Sequence, residues 1–195
     1  MKLETISEKD GILQIKQLFS TKASDELFTY LEQNIEWEQQ WITIRGEKRP
    51  IPRKTAWYGT PEAKYTYSGI ENEPKPMTPI LDKIREILEK HTHCQFNSVL
   101  LNYYRSGRDS IYWHSDDEPE LGKNPTIASI SLGATRTFHL RHKITKELIQ
   151  IPLTHGTLLI MADEIQHKWE HSIPKEPTIR EPRINLTFRY TYLRP

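Results

Sequence analysis

The sequence is poor in cysteine, in long apolar runs and in net charge. It has 195 residues and a single cysteine, Cys94, which excludes an internal disulfide and any zinc site built from cysteine pairs. No apolar segment approaches the length needed to span a bilayer, and Glu4 stands where the apolar stretch of a signal peptide would begin. We therefore expect no membrane association and a cytoplasmic location, or a nuclear one in a eukaryotic cell.

The low net charge is an average over two opposed segments. The chain has 27 basic and 26 acidic residues, a formal net charge of +1, which by itself argues against a nucleic-acid partner. Residues 45–54, however, contain five basic side chains and one acidic side chain, whereas four acidic residues lie within residues 116–120. The near-neutral average limits nonspecific binding to phosphates and leaves a nucleic-acid partner open.

Two segments have the periodicity of amphipathic helices. Residues 24–35 could begin at Ser24 as an N-cap and place Leu27 and Leu31 on one stripe. The second segment has Thr78 as its N-cap and Pro79 at the first helical position, and its apolar stripe continues to residue 90. Both helices are expected to cover a sheet.

Most of the chain after residue 95 has the pattern of short strands separated by turns. We predict strands at residues 96–104, 127–132, 136–142, 147–153, 157–161 and 183–193, preceded by a basic hairpin over residues 42–54 that turns near Gly46. These patterns predict a mainly β (α+β) fold with covering helices. Residues 1–195 are expected to form one domain, with the helices and hairpin in residues 1–95 and the β-rich core in residues 96–195.

The last predicted strand alternates strictly between polar and apolar side chains. Its polar face carries Arg183, Asn185, Thr187 and Arg189. Its apolar face carries Ile184, Leu186, Phe188, Tyr190 and Tyr192. A polar face that meets water explains this pattern, and so does a polar face that lines the interior of a barrel. Inside a barrel, the two arginines could hold carboxylate groups in bidentate pairs.

A possible metal site begins with His114-Ser115-Asp116, because residues two apart in an extended segment project to the same side. The motif is short, and a solvated turn explains it equally well. A second histidine is required, and the main candidates downstream are His139, His155, His167 and His171. His171 is the best placed, since it lies between a predicted strand and the arginine row. Two imidazoles and one carboxylate on one face of an iron ion are the arrangement of non-haem Fe(II) oxygenases.

Several ordered motifs resemble those of one known family. They are Asn102-Tyr103-Tyr104-Arg105, Trp113-His114-Ser115-Asp116-Asp117-Glu118, Ser129-Ile130-Ser131-Leu132-Gly133-Ala134-Thr135-Arg136, His155-Gly156-Thr157-Leu158, His171-Ser172-Ile173-Pro174 and Pro182-Arg183-Ile184-Asn185-Leu186-Thr187-Phe188-Arg189. Over residues 52–189 the chain resembles the AlkB family of 2-oxoglutarate-dependent Fe(II) dioxygenases, and most of all the members that prefer single-stranded nucleic acid. The resemblance implies a double-stranded β-helix, or jelly roll, as the catalytic core, with an N-terminal hairpin that recognises nucleotides.

The resemblance also implies the cofactors Fe(II), 2-oxoglutarate and O2. His114, Asp116 and His171 would bind the iron and form the catalytic centre. The cosubstrate would be held by polar side chains from two strands, namely Asn102, Tyr104, Arg183, Asn185, Thr187 and Arg189. Of the two arginines, Arg189 is expected to meet the distal carboxylate of 2-oxoglutarate.

The implied reaction is oxidative demethylation of N-alkylated bases, such as N1-methyladenine and N3-methylcytosine, with release of formaldehyde, CO2 and succinate. These bases are cationic and easier to unstack than normal bases, so their pocket should be aromatic and acidic. The residues expected to contact the substrate are Arg45, Arg53, Trp57, Tyr58, Tyr65, Tyr67, Asp117 and Glu118. For each aromatic side chain, packing in the core is an equally good explanation.

The tip of the predicted hairpin reads Ile44-Arg45-Gly46-Glu47 and has no aromatic residue. Family members that act on duplex DNA fill the gap left by a flipped base with an aromatic wedge, so this departure favours single-stranded DNA or RNA as the partner. Two other functions remain open: an Fe(II)/2-oxoglutarate oxygenase of a protein or small molecule, and a non-catalytic binder of damaged strands. Nothing in the sequence indicates a large apolar interface, so a monomer is expected.

Overall fold

The computed structural model describes residues 4–7, 10–44, 46–63, 65–67 and 70–192. The strands in this part of the chain are β1 (Glu4–Ser7), β2 (Ile12–Gln17), β3 (Trp41–Ile44), β4 (Glu47–Pro50), β5 (Lys54–Gly59), β6 (Tyr65–Tyr67), β7 (Ile70–Asn72), β8 (Lys75–Pro76), β9 (Ser98–Tyr104), β10 (Ile111–His114), β11 (Ile127–Gly133), β12 (Arg136–His142), β13 (Leu148–Leu153), β14 (Thr157–Ala162), β15 (Trp169–Ile173) and β16 (Arg183–Arg189). The helices are α1 (Thr21–Asn34), α2 (Pro79–Thr92) and the single turn α3 (Ile165–Lys168).

Two sheets pack face to face. The larger sheet has eight strands in the order β1-β2-β14-β11-β16-β9-β5-β8, and the smaller one has four in the order β10-β15-β12-β13. One buried apolar cluster contains Ile127 and Leu159 from the larger sheet together with Leu140 and Trp169 from the smaller sheet, so it fills the space between them. The architecture is a jelly-roll barrel with covering helices, which confirms the predicted mainly β fold class.

The two long helices cover the outer face of the larger sheet. Leu31 of α1 and Leu88 of α2 are fully buried in one cluster with Leu186 and Phe188 of β16. Truncating a fully buried leucine such as Leu88 to alanine typically costs about 2–5 kcal/mol of stability. The helices therefore bury the apolar face of β16, and its other face must point into the barrel. In the described part of the chain, no helix is long and apolar enough to cross a bilayer.

The start of α2 agrees with the prediction and the start of α1 does not. The Thr78 hydroxyl accepts a hydrogen bond from the backbone N–H of Leu81, as expected of the N-cap. In α1 the N-cap is Ser20, whose hydroxyl accepts from the N–H of Ala23, so the assignment of Ser24 as the cap is wrong. Ser24 is fully buried inside the helix, where it packs against the backbone of Gly156.

The strands predicted after residue 95 are confirmed to within two residues, except for the end of the last one. β16 stops at Arg189, and Tyr190 and Tyr192 lie beyond it at 38% and 55% exposure, so their assignment to the apolar face is wrong. The chain leaves the sheet there because the N–H of Thr191 donates to the Asn97 side chain and the N–H of Tyr192 donates to the carbonyl of Glu120.

The N-terminal part of the chain completes the larger sheet. β2 pairs with β14, and β5 pairs with β9, although neither β2 nor β5 was predicted as a strand. Residues 1–95 and 96–195 therefore contribute strands to the same sheet.

The predicted basic hairpin is present but shorter than expected. β3 pairs with β4, and Gly46 has φ +83°, a conformation that favours glycine in the turn. Arg53 and Lys54 lie beyond the hairpin, since β5 begins at Lys54. Arg45 lies outside the described residues.

Candidate active site

One pocket lies between the two sheets, and the polar face of β16 forms part of its wall. Its volume is about 1150 Å³ when the space at its open mouth is included. The lining includes all four polar residues of β16, and each of them is at most 7% exposed. The interpretation that this face meets water is therefore wrong, and the alternative that it lines the barrel is confirmed. Asn102 and Tyr104 of β9 line the same pocket.

The three expected metal ligands meet at one point of the pocket. His114, Asp116 and His171 each offer a ligand atom, and these atoms lie within 4.8 Å of one another. His114 on β10 is the register partner of His171 on β15, and the two ring centroids are 4.2 Å apart. Asp116 follows in the loop after β10. Antiparallel pairing therefore places the distal histidine beside the His-x-Asp motif.

The contacts of the two histidines leave nitrogen atoms available to a cation. Nδ1 of His114 lies 2.8 Å from the carbonyl oxygen of Tyr112, which can only accept, so Nδ1 is the donor, and in the neutral imidazole Nε2 then has a lone pair for a metal. Nδ1 of His171 is buried without a hydrogen-bond partner among the described residues. Burial, together with the interaction with His114, lowers the pKa of His171 to about 3, so this imidazole is in the neutral form that binds metals. Two imidazoles and one carboxylate fit Fe(II).

Asp116 is held by Arg189. Oδ2 of Asp116 accepts hydrogen bonds from Nη2 and Nε of Arg189 at 2.6 and 3.2 Å, and both residues are buried. Burial alone would raise the pKa of the Asp116 carboxyl, but the charges of Arg189, His171 and His114 and the hydrogen bond from Arg189 together outweigh burial, and the pKa lies well below its usual range. Oδ1 faces Nε2 of His114 at 3.8 Å and is the oxygen left for a metal. Because Arg189 serves the metal end of the pocket, we revise the expectation that it meets the distal carboxylate of a cosubstrate.

At the other end of the same row, Arg183 is a buried cation with no ion pair in the described part of the chain. Its Nη2 donates to Oγ of Ser131 at 2.9 Å, whereas Nε and Nη1 have no hydrogen-bond partner among the described residues. Its guanidinium carbon lies 5.1 Å from the ring centroid of Tyr104. Burial lowers the pKa of Arg183, which means that its charged form is poorly compensated in the folded protein. Two unused donors on a buried cation fit a carboxylate ligand.

Arg136 and Glu176 support the wall beside Arg183, and the sequence did not reveal their role. Nε of the fully buried Arg136 donates to Oε2 of Glu176 at 2.8 Å, and its Nη2 donates to the carbonyls of Asp109 and Pro174. Its guanidinium carbon lies 5.7 Å from the Tyr104 centroid, so two guanidinium groups contact that ring. The two ion-pair partners are 40 positions apart, and no local pattern indicates such a contact.

Successive side chains of β5 point to opposite faces of the sheet, so only some of the residues expected to contact a base lie in the pocket. Trp57 lines the pocket, and its Nε1 donates to the carbonyl of Ala63 at 3.3 Å. Tyr58 points the other way into the core beneath the helices, so its assignment to the base pocket is wrong. Arg53 lines the pocket but is buried, and its Nε donates to Oδ1 of Asn102 at 2.7 Å. It is therefore placed to contact a ligand inside the pocket, and its expected contact with the substrate stays a prediction.

The remaining substrate residues stay predictions. Asp117 and Glu118 follow the triad in the loop and are not among the described residues that line the pocket. The Asp117 side chain is 47% exposed, and its Oδ2 lies 3.3 Å from Nζ of Lys143. Tyr65 and Tyr67 form β6 with their backbones, while their side chains lie outside the described part, as Arg45 does.

Several lining residues were not identified from the sequence. They are Glu38, Gln40, Thr55, Glu73, Lys75, Leu100, Ser129 and Phe138. Two-residue alternation with Trp57 would have indicated Thr55. Glu38 and Glu73 belong to irregular segments before β3 and β8, where no periodic signal exists. We call these two residues the acidic rim; one of them, Glu38, pairs with Nζ of Lys75 at 2.7 Å.

Comparison with known proteins gives a consistent assignment. Residues 11–189 match the family model described as the 2OG-Fe(II) oxygenase superfamily. The alpha-ketoglutarate-dependent dioxygenase alkB homolog 3 of Mus musculus is 46% identical over 184 residues, which are 89% of this chain and 64% of that protein. This chain thus spans slightly less than two thirds of the length of that relative. The DNA oxidative demethylase ALKBH2 of Homo sapiens is 39% identical over 183 residues, which cover 88% of this chain and 70% of that protein.

The solved structure of OsALKBH1 is similar in fold. It matches with a TM-score of 0.60 at 18% identity and covers 91% of this chain and 97% of that chain. At this identity the likeness concerns the fold alone. The cluster of His114, Asp116 and His171 lies inside the segment matched by the family model. The chain therefore belongs to the AlkB family of the 2OG-Fe(II) oxygenase superfamily.

Proposed function

We propose that this protein is an Fe(II)/2-oxoglutarate-dependent dioxygenase that removes N-methyl groups from alkylated bases in single-stranded DNA or RNA. The observation that carries the proposal is the meeting of His114, Asp116 and His171 in the same pocket as the unused donors of Arg183 and the indole of Trp57. One cavity thus contains ligand atoms for a metal, hydrogen-bond donors for a dicarboxylate and an aromatic ring for a base. The similarity to the human DNA oxidative demethylase ALKBH2 supports the same reaction.

The protein's own groups prepare the metal end of the pocket. His114, Asp116 and His171 would hold Fe(II), which together with 2-oxoglutarate and O2 supplies the oxidation of the N-methyl group. Arg189 keeps Asp116 ionised and occupies Oδ2, so that Oδ1 is presented to the metal. The hydrogen bond from His114 to the Tyr112 carbonyl fixes the ring orientation.

The other end of the pocket suits 2-oxoglutarate. Arg183 would donate Nε and Nη1 to the distal carboxylate, and that negative charge would compensate the buried guanidinium. Asn102, which Arg53 orients, would hydrogen-bond the cosubstrate from β9, and Tyr104 flanks it. Asn185 and Thr187 hydrogen-bond each other at 2.9 Å and complete the polar wall.

The features of the pocket favour a cationic base over a neutral one. Trp57 offers an indole whose position is fixed by Ala63, and a cation on such a ring gains about 1–2 kcal/mol. The acidic rim adds carboxylates at the mouth of the pocket. N1-methyladenine and N3-methylcytosine carry a positive charge that the unmodified bases lack, so the indole favours the lesion, whereas the charge of Glu38 is partly compensated by Lys75. Asp117 would accept a hydrogen bond from the exocyclic amine.

The hairpin formed by β3 and β4 supports single-stranded substrates. All four residues of β4 are exposed, and Lys48 and Arg49 can contact phosphates there. The pair between Arg49 and Glu47 is itself exposed, so a phosphate can compete for Arg49 at little cost. The tip has no aromatic side chain to fill the gap in a duplex, whereas a single strand has no gap to fill.

The proposal is tested by formaldehyde release from an N1-methyladenine oligonucleotide supplied with Fe(II), 2-oxoglutarate and O2. We expect turnover on the single strand, in DNA or RNA, and slower turnover on the duplex at the same stated salt concentration. His114→Ala should abolish turnover, because the metal loses one of three ligands. His139→Ala is the matched control, since His139 lies on the outer side of β12 against Gln150, and it should retain full activity. Absence of formaldehyde from every methylated oligonucleotide, despite bound metal and 2-oxoglutarate, would overturn the proposal.

A further inference from the structure

The single-turn helix α3 lies directly behind the metal ligands. Gln166 of α3 is 1% exposed, and its Oε1 accepts a hydrogen bond from the backbone N–H of Asp116 at 3.0 Å. The residue has no ligand atom in the cluster formed by His114, Asp116 and His171. It contacts the metal ligands through the backbone of Asp116 and supplies no ligand atom itself.

Asp116 depends on such a contact because it lies beyond the end of β10, where strand pairing does not hold it. Arg189 binds its carboxylate, but a hydrogen bond to one oxygen does not fix the direction of the other. The contact from Gln166 fixes the backbone from which the side chain starts. Together the two contacts determine where Oδ1 points.

Gln166 is itself firmly placed. Its Nε2 donates to Sδ of Met161 at 3.5 Å, and its backbone carbonyl accepts from Nζ of Lys143 at 2.9 Å. α3 leads directly into β15, which carries His171, and Oγ of Ser115 donates to the carbonyl of Trp169 on that strand. One short segment thus supplies a ligand and holds the backbone of a second one.

The amide is also the right chemical group at this position. It accepts the Asp116 N–H without adding a charge, so the charge balance between Asp116 and Arg189 is kept. We propose that Gln166 is a positioning residue, which orients Asp116 for the metal and acts through the Asp116 backbone. This inference rests on the proposed metal site.

The test is a calorimetric titration of the apoprotein with Mn(II). Gln166→Leu removes the acceptor at similar volume, and loss of a group that orients a ligand weakens metal binding by about 10- to 100-fold. Gln166→Glu keeps an acceptor oxygen, so it should bind Mn(II) at least tenfold more tightly than Gln166→Leu. Gln150→Leu, on the exposed outer side of β13, is the matched control and should bind as the wild type does.

The outcomes separate the inference from the proposed function. Equal Mn(II) affinity of Gln166→Leu and the wild type, or equal losses in Gln166→Leu and Gln166→Glu, would overturn the positioning role and leave the metal site intact. Failure of the wild type to bind Mn(II) would overturn both. If Gln166→Leu does not fold, Lys143→Met is compared with Asp117→Asn in the same titration, because Lys143 both anchors the α3 carbonyl and pairs with Asp117, and Asp117→Asn removes the ion pair alone. Weaker Mn(II) binding by Lys143→Met than by Asp117→Asn supports the inference, and equal binding by the two variants overturns it.

Discussion

The two arginines of β16 share one strand and one face, yet their surroundings differ. At the metal end, Arg189 forms a buried ion pair with Asp116. At the other end, Arg183 keeps two nitrogen atoms without a hydrogen-bond partner among the described residues. At the metal end, the charges of Arg189 and Asp116 thus compensate each other within the folded chain. The charge of Arg183 is compensated only when a ligand supplies a negative charge.

Because of this difference, we expect one arginine to affect the stability of the protein and the other to affect ligand binding. A buried ion pair loses most when one partner is removed, because the other charge stays behind without compensation. An unpaired buried charge instead lowers the stability of the protein alone, and an anionic ligand removes that penalty on binding. Substitutions at Arg189 should therefore act mainly on folding, and substitutions at Arg183 mainly on the affinity for the cosubstrate.

The largest effect is expected for Arg189→Met. The substitution leaves Asp116 as a buried carboxylate without its counter-charge, so the free energy of unfolding of the apoprotein should fall by about 3–5 kcal/mol. Urea denaturation of the apoprotein measures this change. Added Mn(II) should restore part of the loss, since a divalent cation can take over the compensation of Asp116. An apoprotein as stable as the wild type would contradict the assigned role of Arg189.

A smaller effect on stability is expected for Glu176→Gln, which breaks the ion pair with Arg136 beside Arg183. Hydrogen bonds to charged groups contribute about 1.5–3 kcal/mol, so the free energy of unfolding should fall by that amount at pH 7.

The pH dependence of the stability difference between wild type and Glu176→Gln follows from the lowered pKa of Glu176. Burial would raise the pKa of Glu176, but hydrogen bonds from Arg136 and Thr137 outweigh burial and lower it. The stabilisation is therefore present above the unfolded value of 4.5 and is lost as the pH falls through the lower folded value. The difference between wild type and Glu176→Gln should be full at pH 7 and shrink below pH 4.5. A difference that stays constant down to pH 2.5, about two units below the unfolded value, would show that the carboxylate charge is not responsible.

The smallest effect is expected for Ser115→Ala at the metal end. It removes one hydrogen bond to the Trp169 carbonyl, which contributes about 0.5–1.5 kcal/mol to stability. Because Arg189 and Gln166 still hold Asp116, the Mn(II) affinity should change less than twofold. A loss as large as that of Arg189→Met would mean that the metal end is not held by several independent contacts.

The parts of the site that were predictable rest on local periodicity. Alternation along residues 183–189 identified the polar row, and the order of His114, Asp116 and His171 identified the triad. Which way the row faces was not predictable from β16 alone, because it depends on the helices that cover the opposite face. The direction in which Tyr58 points was likewise not predictable from β5 alone. Its neighbour Trp57 faces the pocket, and Tyr58 faces the core beneath the helices.

The parts that were missed depend on contacts between distant segments. The contact between Arg189 and Asp116 was missed, because nothing in the sequence around Arg189 indicates that the Asp116 loop reaches it across 73 positions. Arg136 meets Glu176 and Gln166 meets Asp116 in the same way, through loops that only the folded barrel brings together. Ser20 was missed as a cap because Ser24 offers the same chemistry one turn later, and only the packing against Gly156 shows that Ser24 is internal.

The most direct test of the division between the two ends is a calorimetric titration of 2-oxoglutarate into Mn(II)-loaded wild type and Arg183→Met. The substitution removes two charge-assisted donors, so we expect about 30- to 150-fold weaker binding of 2-oxoglutarate. The Mn(II) affinity should be unchanged, and the apoprotein should be no less stable than the wild type, since an unpaired buried charge is lost. Equal 2-oxoglutarate affinity in both proteins would contradict the account.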